Sequence, residues 1–316
     1  MQTENEKSDR LDWLKWRQSG LGGSDIMQIL LPDEVRPYGG PWDVWLSKKQ
    51  EVVMDEANAA MGIGNWLERP IAQWVADETK STLIDAEAVQ GPEDWMRCTP
   101  DFWLKDASGA QQGLECKVSS KGGLWSAGVP DYVYLQALWC MICTDTNVWH
   151  VGAYLPGSWK RAKWVVERDA AKEKEVIKKT RDWWTRHIVN GEVPDVDGSI
   201  ECMKGLYNVY PEPKEAAKPA NDDEQKLIED LIKHNDILSN AQKEVKRIKN
   251  QLALAAGDNV GIYSDLGRFT WSRQKGITRL DSKRLKADRP DLYEQFSKTS
   301  EPSRVARFTK KKEDTK

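Results

Sequence analysis

The residues that most directly invite chemistry are Pro100-Asp101 and, after an interval of thirteen residues, Glu115-Cys116-Lys117. Side chains alternate across a strand, so on a strand Glu115 and Lys117 share one face while Cys116 turns to the other. If a hairpin folds Asp101 back beside them, two carboxylates and one ammonium converge. Mg²⁺ takes hard oxygen ligands and keeps several waters, so Asp101, Glu115 and the backbone carbonyl of Cys116 would suit it, with Mn²⁺ as a substitute. Such a set leaves room for a phosphate oxygen and a water that Lys117 would orient or deprotonate. The chemistry it serves is phosphodiester hydrolysis, in which the transition state and the leaving oxygen both call for positive charge.

The flanking sequence predicts the elements this needs. Cys98 to Leu104 and Gly113 to Val118 read as two strands of a β-hairpin, with Asp106-Ala107-Ser108-Gly109 as the polar turn. Upstream, Asp9 to Gln18 has helical spacing and runs into a loop at Gly20, Gly22 and Gly23, after which Ser24 and Asp25 can cap a helix bearing Ile26, Ile29 and Leu30. Pro41 suits the first turn of a helix with Trp42, Val44, Trp45 and Leu46. A longer helix is predicted from about Ala57 to Thr79, with Trp66, Ile71, Trp74 and Val75 as its apolar stripe and Glu68 as a candidate inward carboxylate. Pro130 opens another through Tyr134, Leu135, Leu138 and Met141. Strands at Val148 to Tyr154 and Lys163 to Glu167 follow, then a helix from Asp169 to about Ile188. Helices followed by ββαββα predict an α/β (α+β) core, a central mixed sheet flanked by helices.

Residues 210–220 have linker composition and divide a domain at 1–209 from a unit at 221–316. In that second unit Leu227, Leu231, Ile237, Leu238, Ala241, Val245, Ile248 and Leu252 predict a long amphipathic helix or helical hairpin, and Val260 to Trp271 a small hairpin. The net charge of -3 hides an asymmetry: residues 261–316 carry fifteen Lys and Arg against eight Asp and Glu, a local +7, ending in a basic tail from Lys310 to Lys316. Arg268, Arg273 and Lys275, near Phe269 and Trp271, would suit contacts to a DNA backbone, or equally a solvated face.

Several classes are excluded by composition. No apolar run is long enough for a membrane span, and the polar start Gln2 to Lys7 lacks the apolar core of a signal peptide, so a cytoplasmic bacterial or viral protein is expected. Five cysteines (Cys98, Cys116, Cys140, Cys143, Cys202) are an odd number and predict buried reduced thiols rather than disulfides. The three histidines are scattered, which predicts neither a zinc site nor a histidine base. Most of the 16 tryptophans should be core, with one or two around the DNA entrance free to stack on a base.

Pro100-Asp101 and Glu115-Cys116-Lys117 resemble the signature of the PD-(D/E)-x-K nuclease superfamily. The wider set resembles the YqaJ-like viral recombinase family, relatives of the lambda-type phage exonuclease. That set comprises Trp13-Leu14-Lys15-Trp16-Arg17, Gly22-Gly23-Ser24-Asp25, Gly64-Asn65-Trp66-Leu67-Glu68, Cys98-Thr99-Pro100-Asp101, Leu114-Glu115-Cys116-Lys117 and Tyr134-Leu135-Gln136. It runs on to Leu155-Pro156-Gly157, about half the chain. The resemblance implies a restriction-endonuclease-like core and further roles. Glu68 matches a helix carboxylate that approaches the metal, directly or through water. Gln136 matches a glutamine that contacts the active site, and Arg17 and Ser24 match residues that bind a terminal 5′-phosphate. An arginine fork and amides at a helix start suit that last task. Where several relatives have a second glutamine two places on, this chain has Leu138. Some related nucleases carry an iron-sulfur cluster, an alternative use of the Cys140-x-x-Cys143 spacing.

The resemblance further implies a 5′ to 3′ exonuclease on linear double-stranded DNA that leaves 3′ single strands, a homotrimer around DNA, and a single-strand annealing protein as partner. A structure-specific or restriction-type endonuclease on the same core is one rival reading. A non-catalytic DNA-binding or scaffold protein is the other.

Overall fold

The computed structural model describes residues 4–50, 59–213, 216–299 and 306–309. The chain forms two units, Met1–Val209 and Tyr210–Lys316. In the first, helices α1 (Glu4–Gln18), α2 (Gly23–Leu30), α3 (Pro41–Lys49) and α4 (Ala59–Thr79) precede the sheet. The start expected for α4 near Ala57 lies outside the described residues, as does the basic end from Lys310 to Lys316. Strands β1 (Thr82–Asp85), β2 (Val89–Gln90), β3 (Arg97–Cys98), β4 (Phe102–Lys105) and β5 (Gln111–Val118) follow, then α5 (Asp131–Thr144), β6 (Val148–Leu155), β7 (Lys160–Glu167), α6 (Ala170–Trp184) and α7 (Ile200–Val209).

The central sheet has five strands in the order β1-β4-β5-β6-β7. It is mixed: β5 runs parallel to β6, as a connection through a helix requires, and the other neighbours are antiparallel. This is the α+β core, a sheet flanked by helices, that the sequence predicts. The β4–β5 turn closes on the Asp106 carboxylate, which accepts from the N–H of Ser108 and of Ala110.

One predicted strand is divided. Cys98 belongs to β3, which pairs with β2, whereas β4 starts at Phe102 and pairs with β5. Asp101 therefore sits in the bend between two strands and not within one. Proline at position 100 explains the break, since it donates no ladder hydrogen bond.

The two faces of β5 meet different partners. Leu114 and Cys116 pack with Ile71, Ala72, Val75 and Ala76 of α4 and with Phe102 and Leu104. Glu115 and Lys117 take the opposite face, in register with Val151 and Ala153 of β6, whose side chains join the larger core formed with α5. Two glycines set the spacing. A Cβ at Gly113 would fall 2.2 Å from the Trp149 ring, and one at Gly152 would fall 2.7 Å from Val75 Cγ2 and 3.0 Å from Ile71 Cγ2. Gly152 is thus the reason α4 can lie so close to the sheet.

Trp66 departs from the predicted apolar stripe of α4: it is 85% exposed, while Ile71 and Val75 are buried. Two places separate Trp66 from Glu68, about 200° around a helix, so the residue that turns inward forces the other outward. In α2 the N-cap is Gly22, not Ser24, and its N–H donates to the Asp25 carboxylate at 2.8 Å.

The second unit contains α8 (Asp222–Ala256), β8 (Gly261–Ser264), β9 (Gly267–Thr270), α9 (Ser282–Asp288) and α10 (Pro290–Phe296). Of the two alternatives read from its sequence, α8 is one continuous helix of 35 residues. Asn221 caps it by accepting from the Glu224 N–H. Its Leu227, Leu231, Ile237, Leu238, Val245 and Ile248 are exposed. The strands β8 and β9 form the expected small hairpin. Among the described residues no helix is long and apolar enough to cross a membrane.

Candidate active site

Asp101, Glu115 and Lys117 meet where β4 gives way to a bend and β5 runs on. The β4–β5 register ends at Phe102 opposite Leu114, which leaves the following edge of β5 without a strand partner on that side. The Asp101 carboxylate takes that place, accepting from the Cys116 N–H at 2.7 Å. The N–H and C=O of one strand residue leave by the same edge. The Cys116 carbonyl therefore emerges on the side of Asp101, as its expected role as a ligand requires. Lys117 Nζ donates to Glu115 Oε1 on the shared face.

The electrostatics are those of too many carboxylates for one ammonium. Burial pushes the Asp101 carboxyl well above the ordinary aspartate range, and the nearby Glu115 adds to it. Burial likewise raises Glu68, which is half-buried on α4; Lys117 opposes the shift and Glu115 reinforces it. Burial would strip the proton from Lys117, but Glu115 and Asp101 outweigh it and hold the amine above its usual range. Three carboxylates thus act on a single cation. Such a centre favours a further positive charge, and its donors are all hard oxygens.

Among the described residues no group of three or more His, Cys, Asp or Glu is placed to hold a metal ion by itself. A divalent ion here would complete its shell with the Cys116 carbonyl and water. That suits Mg²⁺, which gives up water reluctantly.

The other predicted residues fall into two groups. Arg17 and Ser24 are brought together, the guanidinium donating to the Ser24 hydroxyl at 2.6 Å. Because Gly22 and Asp25 cap α2, that hydroxyl is not used as a cap. Lys48 steadies the turn from below through an ion pair with Asp25 at 2.7 Å and a hydrogen bond to the Arg17 carbonyl. Gln136 is 6% exposed on α5, and its carbonyl oxygen is buried without a partner. Its backbone lies against Gly23, where a Cβ would come within 3.4 Å of Gln136 Cα. The structure thus joins the Gly22-Gly23-Ser24 loop to the helix bearing Gln136. By contrast Arg268, on β9, and Arg273 and Lys275, in the extended segment after it, are exposed residues of the second unit.

Three contributors escaped the sequence reading. Arg97 is a buried arginine that donates to the carbonyls of Trp16, Asp94 and Met96 and to the Ser19 hydroxyl, tying the end of α1 to β3. Tyr38 and Tyr132 both act electrostatically on Lys117 or on each other beside it. Tyr132 lies one helical turn before Gln136, a spacing that could have been noticed; nothing in the sequence marks Arg97 as buried. The five cysteines are buried and free of disulfides. His150 and His187 are also buried, the first against Gln112 Oε1 and the second against a backbone carbonyl.

Residues 12–147 match the family model of the YqaJ-like viral recombinase domain. That span holds Arg17, Ser24, Glu68, Asp101, Glu115, Lys117 and Gln136. The uncharacterized protein YqaJ of Bacillus subtilis (strain 168) is 24% identical over 308 residues, covering 93% of each chain. Among solved structures the chain is similar to the alkaline exonuclease LHK-Exo of Laribacter hongkongensis, with TM-score 0.47 and 18% identity over 57% of this chain and 93% of that one. It is also similar to a phage related exonuclease of Haemophilus somnus 129PT, with TM-score 0.40 and 13% identity over 55% of this chain and 96% of that one.

Proposed function

We propose, from the YqaJ-like viral recombinase domain over residues 12–147, that the chain is a Mg²⁺-dependent DNA nuclease. The observation that carries this reading is the Asp101 carboxylate bonded to the Cys116 N–H at the open edge of β5, beside Glu115 and Lys117. Asp101, Glu115 and the Cys116 carbonyl would hold the ion, with Glu68 reaching it directly or through water. Bound there, Mg²⁺ supplies the positive charge that the phosphorus centre and the departing oxygen require, and Mn²⁺ could replace it.

The chain's own residues do the rest. Lys117, beside the two carboxylates, would orient or deprotonate the water or donate to a phosphate oxygen. The Arg17 guanidinium and the Ser24 hydroxyl offer donors for a terminal 5′-phosphate near the start of α2. A terminus held in that way supports the finer reading: a 5′ to 3′ exonuclease on linear double-stranded DNA that leaves 3′ single strands for recombination by annealing. A homo-oligomer, a trimer in the first instance, and a single-strand annealing partner in a bacterial cytoplasm belong to the same proposal.

The test is digestion of 5′-phosphorylated and 5′-hydroxyl linear duplexes and of a covalently closed plasmid, with Mg²⁺ or chelator. Linear DNA should be shortened from its 5′ ends only with the metal, fastest when phosphorylated, and the closed circle should survive. Lys117→Ala should lower the rate by about 10²–10⁴-fold. Cutting of the circle would favour an endonuclease, and full activity of Lys117→Ala would remove that residue from the reaction.

A further inference from the structure

A basic cavity lies on the same face of the sheet as Glu115 and Lys117, one to two strands away. Register fixes this placement. Lys117 is level with Ala153 of β6, which is level with Ala162 of β7; two residues further along, Leu155 is level with Lys160. Paired residues share a face, so Lys117, Ala153, Ala162 and Lys160 all project to one side. From Lys117 to Lys160 the backbone separation is roughly 12 Å, taking two strand spacings across and two residues along. Ala153 is buried in the core, while Ala162, beside Lys160, is half-buried.

Leu155, Lys160, Ala162 and Trp164 line a cavity of about 520 Å³. Its walls come from the segment after β5 and from the β6–β7 turn, both at the end of the parallel strands where Lys117 lies. Ser120, Ser126 and Ser158 contribute hydroxyls, the last two donating to the Gly123 and Leu155 carbonyls, Lys160 contributes charge, and no Asp or Glu is among its described lining residues; the Arg161 guanidinium turns to the other face, over the Trp74 ring. The two walls approach closely: a Cβ at Gly157 would come within 3.4 Å of the Ser120 carbonyl. Trp125, 4% exposed, packs against Trp164 at 5.1 Å between ring centroids, and its indole N–H is buried with no acceptor in the protein. Donors and a cation without a carboxylate define a place for an anion with several acceptor oxygens.

We infer that this cavity is a phosphate subsite for the nucleic-acid strand, holding a backbone phosphate beyond the one cut at Lys117, with Lys160 as its principal cation. The inference rests on the nuclease reading for its substrate class. A strand whose reacting phosphate lies at Lys117 would reach Lys160 at the same end of the same sheet face. Lys160 acts as a point charge there, and the hydroxyls supply direction.

The experiment measures binding of a fluorescent linear duplex with a 3′ overhang to the full chain in chelator, over a range of salt, for wild type and Lys160→Gln. Lys160 is exposed, so the substitution leaves the fold intact. The expected result is about 3–10-fold weaker binding and a salt slope smaller by about 0.7–0.9, the loss of one phosphate contact. Inorganic phosphate and a mononucleotide should compete poorly against the duplex. Unchanged affinity and slope would overturn the subsite. So would saturable binding of inorganic phosphate that Lys160→Gln abolishes while duplex binding stays the same, since the cavity would then serve free phosphate. Cleavage by Lys117→Ala is measured alongside. Loss of cleavage there with no effect of Lys160→Gln leaves the nuclease reading standing and removes only the subsite. The converse pair removes the catalytic assignment and keeps the strand contact.

Discussion

At the scale of single residues burial decides which groups hold a proton, and His150 offers a measurable case. Burial, aided by the Lys163 charge, lowers its pKa below the usual imidazole range, and its Nε2–H donates to Gln112 Oε1 at 2.6 Å. The unfolded chain takes up a proton near pH 6.5 while the folded chain resists, so the unfolded state binds more protons and stability falls with pH. The loss begins as pH drops through about 6.5 and stops growing below the folded pKa. The raised carboxyls Asp101 and Glu68 have the opposite sign, since a carboxyl held protonated in the fold loses its contribution as pH rises. Comparison with His150→Gln isolates the histidine: thermal melts from pH 7.5 to 5.5 should fall less steeply for the variant, and parallel curves would show that His150 carries no linkage. Residue types at the centre were legible in sequence because Asp101, Glu115 and Lys117 are chemically distinctive. The orphaned Gln136 carbonyl and the buried Arg97 were not, because burial of a polar group depends on chain segments far away in sequence.

At the scale of elements, the position of Glu68 depends on how closely α4 approaches the sheet, and Gly152 controls that distance. Gly152→Val would drive added methyl groups against Val75 and Ile71. The expected cost is about 1–3 kcal/mol of stability from overpacking, read as a lower denaturant midpoint, with DNA cleavage reduced because α4 lifts Glu68 from the centre. Wild-type cleavage in a folded variant would separate Glu68 from the reaction. Strand and helix periods identified β5, whose apolar residues alternate with Glu115 and Lys117, and β6 and α5, whose apolar residues are largely buried. Pro100 marks the break within Cys98 to Leu104 in the sequence, but the separate pairing of its two pieces, β3 with β2 and β4 with β5, depends on segments elsewhere in the chain. The exposure of Trp66 was hidden by its type: aromatic residues are usually counted as core.

At the scale of the molecule, α8 is the feature most in need of a partner. Leu231, Leu238, Val245 and Leu252 recur every seven residues, and a second series of Leu227, His234, Ala241 and Ile248 interleaves with them, which is the pattern of a coiled-coil seam with one polar position. A solvated single helix gains little of its stability from propensity, so this seam is expected to support the proposed self-association. Sedimentation of the full chain should give an oligomer mass, and Leu231→Glu with Leu238→Glu and Val245→Glu should shift it towards monomer. An unchanged mass would assign the seam elsewhere. The parallel pairing of β5 with β6 has an effect in time as well as in space. Emerging from a ribosome, the chain presents both acidic groups with the β4–β5 hairpin, but β6, the support behind them, follows some thirty residues later. On the proposed function, a half-made copy would carry the acidic groups without the rigidity to aim them, and the cell making it would be spared a premature cutter.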